Sequence, residues 1–237
     1  MNIAQKIERS RDVEEIHPGK IICENSTDPL VIIKPSERIM VEPVWEKEGD
    51  LEGSMYAQYM QSHPEYNQIY VRSKLFKQLV LAADSLDSTY KLVVRAGHRP
   101  LAVQKRVLLG VMQKFIDRNP QVSNEEALEH ARTYISDPDM HLPPHCCGAA
   151  VDVELFDVTK NCLVDFGSQV NEEADISHLH NDSISAKQKQ SRMILLKTML
   201  SVGFASYYAE WWHYSYGGED WAWFYRKDTC LYGIVHV

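Results

Sequence analysis

The chain predicts an α+β fold, a single domain in which an antiparallel sheet is backed by helices. Three observations point there. Apolar residues recur at helical spacing in several segments, strand-like runs follow one another near the most polar motifs, and 237 residues at 44% hydrophobic content, with no low-complexity linker, suffice for one sizeable core.

The N-terminal stretch through about Pro64 is rich in proline and acids and carries the charge cluster Glu46-Lys47-Glu48-Gly49-Asp50. Residues 1–65 read as a wrapping segment of the same domain, helping to form a cleft on a core of residues 66–237. A helix is expected over 73–87, where Leu75, Leu79, Ala83 and Leu86 share a face. A strand follows at 90–95, then a second helix over 100–117 with Val103, Val107, Val111 and Phe115 inward. Ser123-Asn124-Glu125-Glu126 is a capping box that opens a helix running to about Ile135. A strand over 149–156 leads through the turn Asp157-Val158-Thr159-Lys160-Asn161 into Cys162-Leu163-Val164. The last helix covers 185–202 and ends at Gly203, and a final strand is expected over 207–215.

The chemistry concentrates in two places. One is Pro143-Pro144-His145-Cys146-Cys147-Gly148-Ala149-Ala150-Val151-Asp152, and the other is Glu210-Trp211-Trp212-His213. Together they supply three metal ligands and a base. Two neutral imidazoles and one carboxylate suit a catalytic zinc that keeps a fourth position for water, whereas structural zinc closes its shell, mostly with thiolates. Taken singly, either histidine is more often a surface or satisfied core residue, and the second cluster competes, less strongly, with a core aromatic strand carrying an exposed Glu. Their combination favours the metal.

Gly148 and Ala149-Ala150 suit a chain that leaves a turn and packs closely behind a site. Alternation along 150–155 then sends Asp152 and Glu154 to one face and Val151, Val153 and Leu155 to the other. A carboxylate on so apolar a strand needs a partner. Glu210 and His213 are three apart, on opposite faces of an ideal strand, so a bulge or bend is expected at Trp211-Trp212. The two ligand-bearing strands should be neighbours.

Other candidates fall away. His141 and His145 have the spacing of a helical zinc motif, but Pro143 and Pro144 forbid that helix. His178 and His180 lie in a polar stretch, 175–182, that reads as a loop. Cys146 and Cys147 adjoin a ligand; as thiolates they would close the coordination shell, and they read instead as two small, partly buried thiols. Five cysteines at irregular spacing make a poor disulfide framework. A net charge of −8 with dispersed basic residues argues against nucleic acid. No apolar run approaches a membrane span, and the N-terminus lacks an export signal's apolar core. A cytoplasmic protein is expected, with no membrane partner and no assignable oligomeric state.

The pattern His-x-x-Gly-x-Ala-x-Asp followed by Glu-x-Trp-His resembles the zinc-dependent D-alanyl-D-alanine dipeptidases of the vancomycin-resistance type, peptidase family M15. Gly97-His98-Arg99-Pro100 resembles that family's Gly-aromatic-Arg-Pro segment, Gly203-Phe204 through Tyr214 its run into the second motif, and Phe166-Gly167-Ser168 a loop that lines its substrate pocket. The resemblance implies one zinc per chain on His145, Asp152 and His213. Glu210 would be the general base toward the zinc-bound water. Arg99 would stabilise the oxyanion, and a small D,D-dipeptide would be the substrate, with Ser168 in the pocket.

The sequence departs from the family at two points. Pro143 stands where a serine often contacts substrate. Asn171 stands where an aspartate holds the substrate ammonium, with Glu172 and Glu173 directly after it as acids that could restore the charge. The alternative readings are a D,D- or L,D-carboxypeptidase of peptidoglycan stem peptides and a non-catalytic zinc-binding module.

Overall fold

A computed structural model of the chain describes residues 1–12, 21–44, 51–172 and 174–236; the charge cluster at 46–50 and Glu173 lie outside them. In chain order the elements are α1 (Ile3–Arg9), β1 (Ile22–Cys23), β2 (Leu30–Ile32), β3 (Ile39–Val41), α2 (Leu51–Met60), β4 (Tyr70–Arg72), α3 (Ser73–Ser85), β5 (Tyr90–Ala96), α4 (Leu101–Arg118) and α5 (Asn124–Arg132). There follow β6 (Ala150–Asp157), β7 (Cys162–Leu163), α6 (Ala186–Ser201), β8 (Ala205–Ser206), β9 (His213–Ser215), α7 (Glu219–Phe224) and β10 (Thr229–Cys230).

The main sheet runs β3-β5-β6-β9-β8, with β7 also paired to β6. Every pairing in it is antiparallel except β3 with β5, which is parallel. The departure from a purely antiparallel sheet comes from the N-terminal segment. The long connection through α2, β4 and α3 returns the chain in the same direction, as a parallel crossover requires. Two further pairs, β1 with β10 and β2 with β4, stand outside this sheet.

The sheet has two unlike faces. Leu92, Val94 and Ala96 of β5 and Val151, Val153 and Leu155 of β6 join Leu75, Leu79, Ala82 and Ala83 of α3 and Leu195, Leu196, Met199 and Leu200 of α6 in one apolar core. The intervening residues face the other way, and there the sheet is polar although buried. Arg95 Nε lies 3.3 Å from Glu154 and Arg95 Nη1 2.9 Å from Glu42, so the row of charges is paired as burial demands. Asp152 belongs to this face.

Three helices start as the sequence signals suggest. Ser123 caps α5 in a reciprocal box with Glu126, and Ser185 does the same for α6 with Gln188, a box the sequence reading did not pick out. Pro100 stands just before α4, at its cap. The polar turn after β6 is held by the Asp157 carboxylate, which accepts from the backbone and hydroxyl of Thr159 and from the Lys160 amide, while Asn161 takes a left-handed φ of 55°. The strand expected over 207–215 is much shorter. Only 213–215 pair as a strand, and 207–212 run as an irregular passage in which Trp211 and Trp212 are buried and Tyr207 and Tyr208 half-buried.

Helix α1 docks across the far end of the core. Lys6 Nζ donates to Leu200 O at 2.8 Å and Arg9 to Trp223 O at 3.2 Å, with the guanidinium stacked 3.9 Å over the Trp223 ring. Its last turn meets the 175–182 loop through a 2.7 Å contact between Ser10 Oγ and His180 Nε2. Burial, with Arg11 and Arg192 near by, holds the His180 imidazole down at about 4 from 6.5. The unfolded chain takes up this proton near pH 6.5 and the folded chain only near pH 4, so the stability it supplies is complete above that window and is lost as pH falls through it. The melting temperature of the protein relative to a His180→Gln variant is expected to drop between about pH 6.5 and pH 4; a constant difference across that range would contradict the docking role.

Candidate metal centre

The first cluster is built on a turn. Pro143 and Pro144 start it, Cys147 N donates back to Pro143 O and Ala149 N to Pro144 O, and Gly148 takes φ 64°. A Cβ at Gly148 would sit 2.5 Å from Leu30 Cδ2, so β2 can pack behind the turn only because the residue is glycine. The chain then enters β6, placing Asp152 two residues into the polar face. At the same level β9 pairs with β6, and Asp152 and His213 are direct partners in register. The expected adjacency of the two ligand-bearing strands is what the sheet shows.

The bend expected at the aromatic pair is also present. His213 N donates to Glu210 O at 3.3 Å, closing a tight turn that brings two side chains three residues apart to one side. Trp211 and Trp212 both bury, ring planes at 87°, and Trp211 stacks on Phe166 with centroids 4.0 Å apart. The aromatic pair therefore anchors the turn from the core side.

The resulting geometry converges on one point. One donor atom from each of His145, Asp152 and His213 lies within 4.8 Å of the others, and among the described residues this is the group that could hold a metal ion. His145 Nε2 is 3.1 Å from His213 Nδ1 and 3.4 Å from Asp152 Oδ2, while His213 Nδ1 is 3.2 Å from Asp152 Oδ1. The opposite nitrogen of His145, Nδ1, lies 2.7 Å from Gly97 O. A carbonyl only accepts, so Nδ1 carries the proton and Nε2 presents its lone pair to the centre. Cys146 and Cys147 are not in the group. Both are fully buried, more so than the sequence reading expected, and burial pushes the Cys147 thiol well up, so it stays protonated.

Charge at the centre is lopsided. Burial by itself would raise the Asp152 carboxyl, but His145 and His213 outweigh it and hold it well below the usual range. Burial would lower His213, yet Asp152, Asp220 and Glu210 pull it up to about 10. Glu210 Oε2 lies 3.8 Å from His213 Nδ1, and Asp220 Oδ2 lies 3.7 Å from Nε2. Three carboxylates around buried imidazoles make a site that holds a cation, and without a metal a proton fills that role.

Arg99 is buried and tethered to the same turn, its amide donating to His145 O at 3.1 Å. A bulge at the end of β5 and the close approach of Gly97 to Tyr70 O, 2.5 Å from where a Cβ would stand, set the path of this segment. Arg99 Nη1 donates to Gln104 Oε1 at 2.7 Å, and Gln104 Nε2 donates on to Ser136 O. Nothing in the sequence singles out Gln104, because a glutamine inside a helix is ordinarily exposed.

The 166–177 loop leans on the second motif. Ser168 Oγ accepts from Trp211 Nε1 at 2.8 Å and lies 3.1 Å from Ser177 Oγ, so its hydroxyl already serves the scaffold. Glu172 turns its carboxylate back onto Gln169 N at 2.9 Å, and Asn171 sits at φ 64°. Arg192, buried on α6, gathers the loop by donating to the carbonyls of Phe166, Ile176 and His178. No sequence signal distinguished Arg192 from the other basic residues of its helix.

Two imidazoles and a carboxylate around one point, with a further carboxylate at the rim, define the donor set of a mononuclear metallohydrolase. The chain belongs to the peptidase M15 family, described as D-ala-D-ala dipeptidase, which matches residues 59–230; it is a hydrolytic metallopeptidase. A D-alanyl-D-alanine dipeptidase of Synechocystis sp. is 26% identical over 181 residues, covering 65% of this chain and 70% of that protein. D-alanyl-D-alanine dipeptidases of Enterococcus faecium and Enterococcus faecalis are 36% and 37% identical over 70 residues, 30% of this chain and 35% of each relative. Among solved structures, a vancomycin-resistance D,D-pentapeptidase VanY variant in complex with Zn(II) overlaps 69% of this chain and 83% of its own with a TM-score of 0.41 at 17% identity. VanYB in complex with D-alanine-D-alanine overlaps 68% and 80%, with a TM-score of 0.39 at 16% identity. No described helix is long and apolar enough to cross a membrane.

Because His213 is held protonated at neutral pH in the metal-free protein, uptake of a divalent ion at pH 7 should release about one proton per ion bound. Calorimetric titration with zinc in buffers of differing ionisation enthalpy measures that number, and a value near zero would show that the imidazole is already neutral.

Proposed function

We propose that the protein is a zinc dipeptidase that hydrolyses D-Ala-D-Ala or a closely related small dipeptide, with one zinc held by His145, Asp152 and His213. The donor set supports zinc. Two nitrogens and one oxygen, with the His145 tautomer fixed by Gly97 O, suit a borderline cation that needs an open position. Bound there, zinc would polarise the scissile carbonyl and ease deprotonation of a water molecule.

The observation that carries the reading is Glu210. Its carboxylate lies 3.8 Å from the same His213 nitrogen that faces Asp152 and His145, beside the donors without being one of them. A carboxylate in that position takes a proton from the attacking water and returns it to the leaving amine. Arg99, buried and braced through Gln104, presents a guanidinium to the charge that develops on the carbonyl oxygen. Tethering its amide to His145 O keeps the donors and the arginine in one rigid unit.

For the substrate, the 168–172 loop is the amino-terminal wall in this reading. Asn171 offers an amide oxygen to the dipeptide ammonium in place of a carboxylate, giving up the charge-assisted part of that hydrogen bond. Glu172 is the nearest acid in sequence among the described residues, and its contact with Gln169 N keeps it on the same loop.

Glu210→Gln should retain zinc and lose about 10²- to 10⁴-fold in turnover, because the amide cannot accept the proton. Metal analysis with steady-state rates on D-Ala-D-Ala tests this, and a variant as fast as the wild type would remove Glu210 from the mechanism. Asn171→Asp should lower KM for free D-Ala-D-Ala and leave an N-acetylated analogue nearly unchanged. Equal effects on the two, or a wild-type preference for the blocked or longer peptide, would instead mark a carboxypeptidase.

A further inference from the structure

The two imidazoles of the centre are supported differently. His145 turns its outer nitrogen to a peptide carbonyl, Gly97 O, at 2.7 Å. His213 turns its outer nitrogen, Nε2, to a carboxylate, Asp220 Oδ2, at 3.7 Å. Asp220 comes from the first turn of α7, seven residues after His213, where Gly217 at φ 81° and Gly218 reverse the chain. A Cβ at Gly218 would stand 2.8 Å from Asp220 Oδ1, so the side chain fits against this turn because glycine leaves the room.

The placement is held from outside. Glu219, the residue before, is buried and accepts from Leu142 N at 3.1 Å, with His141 Nδ1 3.8 Å away. This ties the start of α7 to the loop that leads into His145. Meanwhile Asp220 Oδ1 is buried without a hydrogen-bond partner. A buried, unsatisfied carboxylate oxygen is costly, and the other oxygen, Oδ2, is the one that faces the imidazole.

We propose that Asp220 is a positioning residue for the metal centre. It fixes His213 in the tautomer that carries its proton on Nε2, leaving the Nδ1 lone pair aimed at the ion, and it makes that imidazole a stronger donor than a carbonyl-backed one. Contact requires Asp220 and Nε2 to close by about half an ångström to hydrogen-bond distance. The inference rests on the zinc reading above and adds a member that lies outside the donor set. Partners of this kind typically account for about 10- to 100-fold in metal affinity.

The test is zinc binding by full-length wild type and by Asp220→Ala, Asp220→Asn and His213→Ala, measured by competition with a chromophoric chelator and by release rate into excess chelator. Asp220→Ala should bind about 10- to 100-fold more weakly, and Asp220→Asn, whose amide oxygen can still accept from Nε2 but carries no charge, by a smaller factor of about 3 to 10. In the zinc-loaded wild type the His213 Nε2 proton should be visible by nitrogen-edited NMR and exchange slowly. In Asp220→Ala it should exchange faster. Wild-type affinity in either Asp220 variant overturns the proposal, as does an affinity loss that leaves the Nε2 proton unchanged, which would mark a merely structural effect. If His213→Ala binds zinc as well as the wild type, the zinc assignment itself has failed; if only the Asp220 variants are silent, the failure is confined to this inference.

Discussion

The structure is organised around one buried carboxylate. Asp152 sits in the middle strand of the sheet, 2% exposed, where an ionised group would be untenable without partners. Two imidazoles supply them, one from the turn seven residues earlier and one from the strand paired alongside. Much of the architecture near the site follows from satisfying this group. Gly148 lets the His145 turn lie close, the register of β6 on β9 sets Asp152 opposite His213, and the aromatic pair at 211–212 locks the turn that brings Glu210 to the same side. The sheet divides its work by face, with apolar contacts to α3 and α6 on one side and paired charges on the other.

Much of this was readable from the chain because it depends on local rules. Alternation along 150–155 assigns Asp152 and Glu154 to one face, and the structure keeps them there, Glu154 paired with Arg95 and Asp152 with the imidazoles. The capping box at Ser123 marks its helix start. The three-residue spacing of Glu210 and His213 implies a bend, and there is one. Motif spacing, together with the family resemblance, pointed to the three side chains that the fold brings together.

What escaped the sequence depends on long-range contacts. The parallel pairing of β3 with β5 is decided by a crossover of roughly fifty residues, for which no local pattern exists. The 207–215 segment has strand-like composition, yet before His213 it follows an irregular path that turns Trp211 and Trp212 into the core. Gln104 and Arg192 are polar residues on amphipathic helices whose ordinary fate is exposure. Their burial is explained by partners elsewhere in the chain, Arg99 and the Ser136 carbonyl for Gln104 and carbonyls 14 to 26 residues away for Arg192. Asp220 likewise carries no motif, being one acid beside another after a glycine pair.

Arg192 has one further implication. It secures the loop from 166 to 178 through peptide carbonyls, and every amino acid brings a carbonyl. Those three anchors are indifferent to side-chain identity, while Ser168, Glu172 and Ser177 add side-chain bonds of their own. At position 171 the left-handed backbone suits asparagine and aspartate alike. The break from the family pattern at Asn171 is the sort of drift such an anchor permits.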